Sequence, residues 1–151
     1  MSDKDIEARA LPAGVFVPEH TMKMIVNRVA KLSEGRREKE IVVLVRSGRY
    51  RASTDQVILY QHESRLPPPK ADLIGVTICK VSEILSDVRK QMGSVEDNDQ
   101  FLMFIRKYWD ESLELDSPVT LLTCNNLRGE LLEMFIEINR FHSTLPEFSQ
   151  E

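Results

Sequence analysis

Apolar residues recur at the spacing of a helix in four stretches of this chain, and the first stretch begins after Pro18. Its stripe follows the i, i+3, i+4, i+7 pattern of one buried helix face and consists of Met22, Ile25, Val26 and Val29. A proline suits the first turn of a helix because its missing N–H would have no partner there, and a glycine often ends a helix. The pattern therefore predicts a helix from Pro18 towards Gly35.

A β-hairpin is predicted by the segment EIVVLVRSGRYRAST, in which Ser47 and Gly48 form a two-residue turn signal between two β-favouring runs. Side chains alternate across a strand, so pairing of Arg46 with Arg49 would give the hairpin one apolar face and one cationic face. The segment QVILYQ predicts a further strand, or a continuation of the second one. The whole hairpin region spans residues 40–61.

The proline-rich segment RLPPPK, residues 65–70, predicts an extended connector within one domain. After it, DLIGVT predicts a short strand, and Thr77 is a suitable N-cap for a helix from about 78 to 92. Gly93 is expected to end that helix.

A helix over about 99–114 follows the acidic segment EDND, whose carboxylates suit the positive end of a helix. Its apolar stripe is unusually wide and consists of Phe101, Leu102, Phe104, Ile105, Tyr108, Trp109 and Leu113. The segment SPVTLLTC predicts a buried strand at 119–123, and Asn125 or Asn126 is expected to cap a last helix over about 126–142.

These elements predict a single α+β domain at residues 18–143. Its small, mainly antiparallel sheet is built from the 40–61 hairpin and the 119–123 strand, and one N-terminal helix precedes three later helices on one face. Residues 1–17 are predicted to form a loosely ordered N-terminal arm, and residues 144–151 a frayed tail.

The composition fits this class, because 151 residues with 42% apolar and 29% charged content are typical of one globular domain. Cys79 and Cys124 belong to no paired motif, so neither a disulfide framework nor a zinc site is expected. The polar N-terminus lacks the apolar stretch of a secretory signal, and no apolar window reaches the length of a membrane span. A cytoplasmic protein without membrane attachment is therefore predicted.

Charge is distributed unevenly along the chain. Residues 23–51 hold nine basic and three acidic side chains, whereas residues 94–116 hold two basic and seven acidic ones. The basic excess suggests a surface that binds nucleic acid, and it is formed by Lys23, Arg28, Lys31, Arg36, Arg37, Arg46, Arg49 and Arg51. The alternatives are a solvated face, or a face that meets acidic residues of this chain or of a partner; the pI of about 5.5 counts against a dedicated nucleic-acid binder.

Apolar helix surface is more abundant than a small sheet needs on one side. Such an excess commonly covers a homodimer interface or a groove for a protein partner. The residues proposed for that interface are Phe101, Phe104, Tyr108, Trp109, Met134 and Phe141. The alternative for each of them is a place in the core.

No catalytic, metal-binding or phosphate-binding motif occurs in the chain, and no cofactor is expected. The first hypothesis is therefore a non-catalytic protein-binding accessory or assembly factor that forms a homodimer. The alternative is a nucleic-acid-binding accessory protein that uses the basic surface. The third hypothesis is an enzyme with Cys124 as nucleophile, because a thiolate would be favoured at a strand end next to a helix N-terminus.

Overall fold

The structure of the chain is a computed structural model that describes residues 8–60, 67–92 and 97–143. The strands of this part are β1 (Arg9–Ala10), β2 (Gly14–Phe16), β3 (Val42–Ser47), β4 (Tyr50–Arg51), β5 (Gln56–Tyr60), β6 (Lys70–Lys80) and β7 (Pro118–Arg128). Its helices are α1 (Glu19–Ala30), α2 (Glu34–Arg37), α3 (Ser86–Gln91), α4 (Asn98–Tyr108) and α5 (Glu130–Ser143), with a 3₁₀ turn at Val81–Glu83.

Five of the strands form one mixed sheet in the order β2-β5-β6-β7-β3. Only β2 and β5 pair in parallel within it, and the other pairs are antiparallel. β1 and β4 form a separate parallel ladder of two strands. The predicted α+β class with a mainly antiparallel sheet is therefore confirmed.

Residues 40–61 contribute β3, β4 and β5, but the expected pairing of Arg46 with Arg49 is wrong. β3 pairs with β7, so that Arg46 lies opposite Thr120. Gly48, with φ of +92°, turns the chain away from the sheet, and Tyr50 then pairs with Arg9 of β1. β7 is the better partner for β3 because it is apolar on both faces, whereas the segment after Gly48 is mostly polar.

Both faces of the sheet are covered by helices, so the expectation of three later helices on one face is wrong. In β3, Leu44 packs into the core cluster that contains α1 and α5, whereas Val45 packs into the cluster that contains α3 and α4. In β7, Leu122 and Leu121 divide in the same way. Strands that are apolar on both faces need a layer of helices on each side.

Two predicted helix starts are wrong because strands extend through them. β6 continues through Thr77 to Lys80 along its ladder with β7, and the predicted 78–92 helix is reduced to the 3₁₀ turn and the short α3. β7 likewise continues past both asparagines to Arg128, so α5 begins at Glu130 instead of about 126. β-Branched residues in β6 and a long partner strand outweigh the local capping signals.

Other helix ends differ by a few residues. α1 stops at Ala30, and Gly35 lies inside α2. α4 ends at Tyr108, well before 114, and Asp97 caps its start by accepting a bond from the Gln100 N–H at 3.0 Å. Gly93 lies outside the described residues.

Residues 8–17, which were expected to belong to an arm before the domain, contribute to the sheet and the core. β2 adds an edge strand next to β5, and the side chains of Leu11, Val15 and Val17 are buried. The remainder of the predicted arm at 1–7 and the predicted tail at 144–151 lie outside the described residues.

Candidate protein-binding surface

The basic residues predicted to form one surface lie on α1 or directly after it, on α2, and in the segment from the end of β3 to β4, and several of them bind within the fold. Arg28 donates to Glu40 at 3.0 Å and to the Ile41 carbonyl at 2.7 Å. Arg37 is buried and donates to the carboxylate of Glu133 at 3.1 Å. Arg28 therefore links α1 to the segment before β3, and Arg37 links α2 to α5.

The other basic residues of the helices are exposed. Lys23 lies 3.5 Å from Glu19 one turn away, and both side chains are largely in solvent. Lys31 and Arg36 are exposed as well. An exposed pair such as Lys23 with Glu19 contributes little stability, so the charge of Lys23 stays available to a partner.

The arginines around β4 are arranged differently. The guanidinium of Arg46 lies 4.9 Å from the centre of the Tyr50 ring, and Tyr50 is partly buried against the core. Arg49 and Arg51 flank Tyr50 and are exposed, and Arg9 of β1 is paired with Tyr50 in the ladder. Arg9, Arg49 and Arg51, called the arginine strip below, form no ion pair with a carboxylate among residues 8–60, 67–92 and 97–143.

The α4 residues of the predicted interface lie in and around the second core cluster. Phe101 is fully buried, and it packs with Ile105. Phe104 and Tyr108 are half-buried and pack around His20 of α1, whose ring stacks on Tyr108 at 4.6 Å between centroids. Trp109, also half-buried, contacts both core clusters.

The α5 residues of the predicted interface face outward. Met134 is 40% exposed and Phe141 61%, and Ile138 between them is 48% exposed. These positions follow i, i+4, i+7 spacing and form one continuous line, called the outer stripe below. The core face of α5 is made by other residues, Leu131, Leu132 and Ile136.

A groove of about 640 Å³ continues from the outer stripe towards α1. Its apolar lining consists of Phe16, Val17, Met22, Val26, Phe135 and Ile138. Asn139 donates to the side-chain oxygen of Asn27, and the Arg140 Nε donates to the Ala30 carbonyl at 3.2 Å. Asn139 and Arg140 of α5 thus contact the C-terminal half of α1, and the groove lies beside this contact.

Charge differs between the two sides of this surface. Glu130, Glu133 and Glu137 lie along the flank of α5 that is turned away from the groove, at i, i+3, i+7 spacing. Lys23 lines the opposite, α1 side of the groove. Glu19, the ion-pair partner of Lys23, lines the same side, so a neutral pair of charges lies across the apolar groove from the acidic flank of α5.

Sequence reasoning identified Met134 and Phe141 but missed Ile138 and the α1 residues of the groove. The signal for α5 was present, because its apolar positions cover more of the helix circumference than one core stripe requires. No sequence signal places α1 beside α5, since the two helices are about 110 residues apart in the chain.

The thiol proposed as a nucleophile lies in a poor environment for that role. Cys124 is fully buried within β7 rather than at a strand end, and burial raises the pKa of its thiol to about 12. Burial, and secondarily the charge of Glu83, raises the pKa of Cys79 as well. A thiol needs a lowered pKa to act as a nucleophile near neutral pH, so neither cysteine has that character.

Among residues 8–60, 67–92 and 97–143, no three His, Cys, Asp or Glu side chains are grouped closely enough to hold a metal ion. In the same part of the chain, no helix has the length and apolar character needed to cross a bilayer. Comparison of the chain with protein-family models, with curated proteins and with solved structures finds no match.

Proposed function

We propose that this protein is a non-catalytic protein-binding accessory or assembly factor, and that it binds through the surface formed by the outer stripe and the adjoining groove. The observation that carries the proposal is the continuity of the two features. Ile138 belongs to both, so the exposed apolar residues of α5 adjoin the apolar lining of the groove.

The shape of this surface favours a protein segment over a compact small molecule. An amphipathic helix binds in a hydrophobic groove through side chains spaced over several turns, and the outer stripe alone covers two turns of α5. Exposed apolar surface of this kind gains about 25 cal/mol for each Å² that a partner removes from water. An apolar surface that stays exposed to solvent lowers the solubility of a protein. Binding of a protein partner would cover the outer stripe and the groove, and it therefore accounts for their exposure in the single chain.

Affinity capture from an extract of the native cell, with and without nuclease, tests this proposal. The bait is the full chain in three forms: wild type, Ile138→Glu, and Met103→Glu as the matched control. Met103 is 71% exposed, belongs to α4 and does not line the groove, so the same change there leaves the proposed surface intact. We expect proteins, including a second copy of the chain, to be retained by the wild type and by Met103→Glu after nuclease treatment, and lost with Ile138→Glu.

Capture that does not depend on Ile138 would refute the proposed surface. Capture that disappears with nuclease would refute protein binding itself. Circular dichroism spectra of the three forms must agree, so that loss of binding is separated from loss of structure.

The arginine strip supports a second candidate, nucleic-acid binding. Its three cationic side chains lack carboxylate partners among residues 8–60, 67–92 and 97–143, and unneutralised arginines on an exposed ladder suit a phosphate backbone. The triple variant Arg9→Ala, Arg49→Ala, Arg51→Ala should lose binding to a duplex probe. It should also reduce the slope of log K against log salt by about 2.7, since each phosphate contact contributes about 0.9. Unchanged affinity and slope in the triple variant would exclude this candidate.

A further inference from the structure

We draw no further inference here: the strongest candidate, the edge of β6 away from β7 between Ile74 and Lys80, where Ile74 and Ile78 are exposed and no strand among residues 8–60, 67–92 and 97–143 is paired, carries no proposal because nothing in the structure shows what covers it.

Discussion

Replacing the buried arginine of α3 should be among the most destabilising single changes in the second core cluster. Arg89 is only 4% exposed. Its guanidinium donates to the Ile84 carbonyl at 2.8 Å, to the Ser82 carbonyl at 3.0 Å and to the Asn98 side chain at 2.8 Å. It also lies 4.5 Å from the centre of the Phe101 ring, so one side chain joins the 3₁₀ turn, α3 and α4.

Arg89→Met keeps much of the aliphatic volume and removes these contacts. Three hydrogen bonds to a charged donor at about 1.5 kcal/mol each, with about 1 kcal/mol for the contact with the ring, give a gross loss of about 5 to 6 kcal/mol. The substitution also ends the burial of a charge, which offsets about 2 to 3 kcal/mol of that loss. The net decrease in the free energy of unfolding is therefore about 3 kcal/mol, or roughly 6–12 °C in Tm for a domain of this size.

Urea unfolding followed by circular dichroism measures this difference. The matched control is Arg36→Met, the same substitution at an exposed position of α2, which should change stability by less than about 0.5 kcal/mol. If Arg89→Met unfolds at the same urea concentration as Arg36→Met, the three bonds and the ring contact do not contribute as described. That result would also show that the contact between the guanidinium and the Phe101 ring does not stabilise the fold.

Two further predictions concern titratable groups. The hydrogen bond from Asn126, assisted by Arg128, lowers the pKa of Asp72, so its stabilising effect is present above the unfolded pKa and is lost as the pH falls through the folded one. Urea unfolding at about pH 7 and pH 3 should therefore show less acid destabilisation for Asp72→Asn than for the wild type, and equal acid sensitivity would contradict this role. For Cys124, burial raises the pKa of the thiol to about 12. The contribution of this thiol to the free energy of unfolding is therefore complete below the unfolded pKa and is lost as the pH rises from the unfolded pKa towards the folded one. Iodoacetamide at about pH 8 should alkylate Cys79 before Cys124, and rapid native labelling of Cys124, read by mass spectrometry of peptides, would show that it is accessible.

The pattern of residues within short segments was sufficient to predict most of the helices and strands. The stripe of α1, the strands at 42–47 and 56–60 and the Asp97 cap of α4 all follow from residues within a few positions of each other. These features depend on the alternation of apolar and polar residues or on one side chain bonding to a nearby N–H. Their physical cause is therefore contained in a short segment.

The lengths of β6 and β7 could not be obtained in that way. Thr77 and Asn126 look like helix caps when only their neighbours are considered, yet both lie within long strands. The two strands extend together because each supplies the hydrogen-bond partners of the other over 11 residues. A local capping preference of about 1 kcal/mol does not compete with a ladder of that length.

The candidate surface shows the same division. The excess of apolar positions on the last helix is visible in the sequence, and it led to Met134 and Phe141. The role of Arg37 as a buried partner of Glu133, and the place of Phe101 in the core, were not visible, because burial depends on what packs from distant parts of the chain.

The sequence by itself determined the α+β class, the positions of most helices and strands and the opposite charges of its two halves, because periodicity, propensity and composition are local or additive properties. The tertiary structure decided which strands pair, which basic residues are bound within the fold, and that α1 lies beside α5 with a groove between them. Those features are contacts between residues far apart in the chain. They arise only when the sheet brings its covering helices together, and the outer stripe of α5 is then exposed.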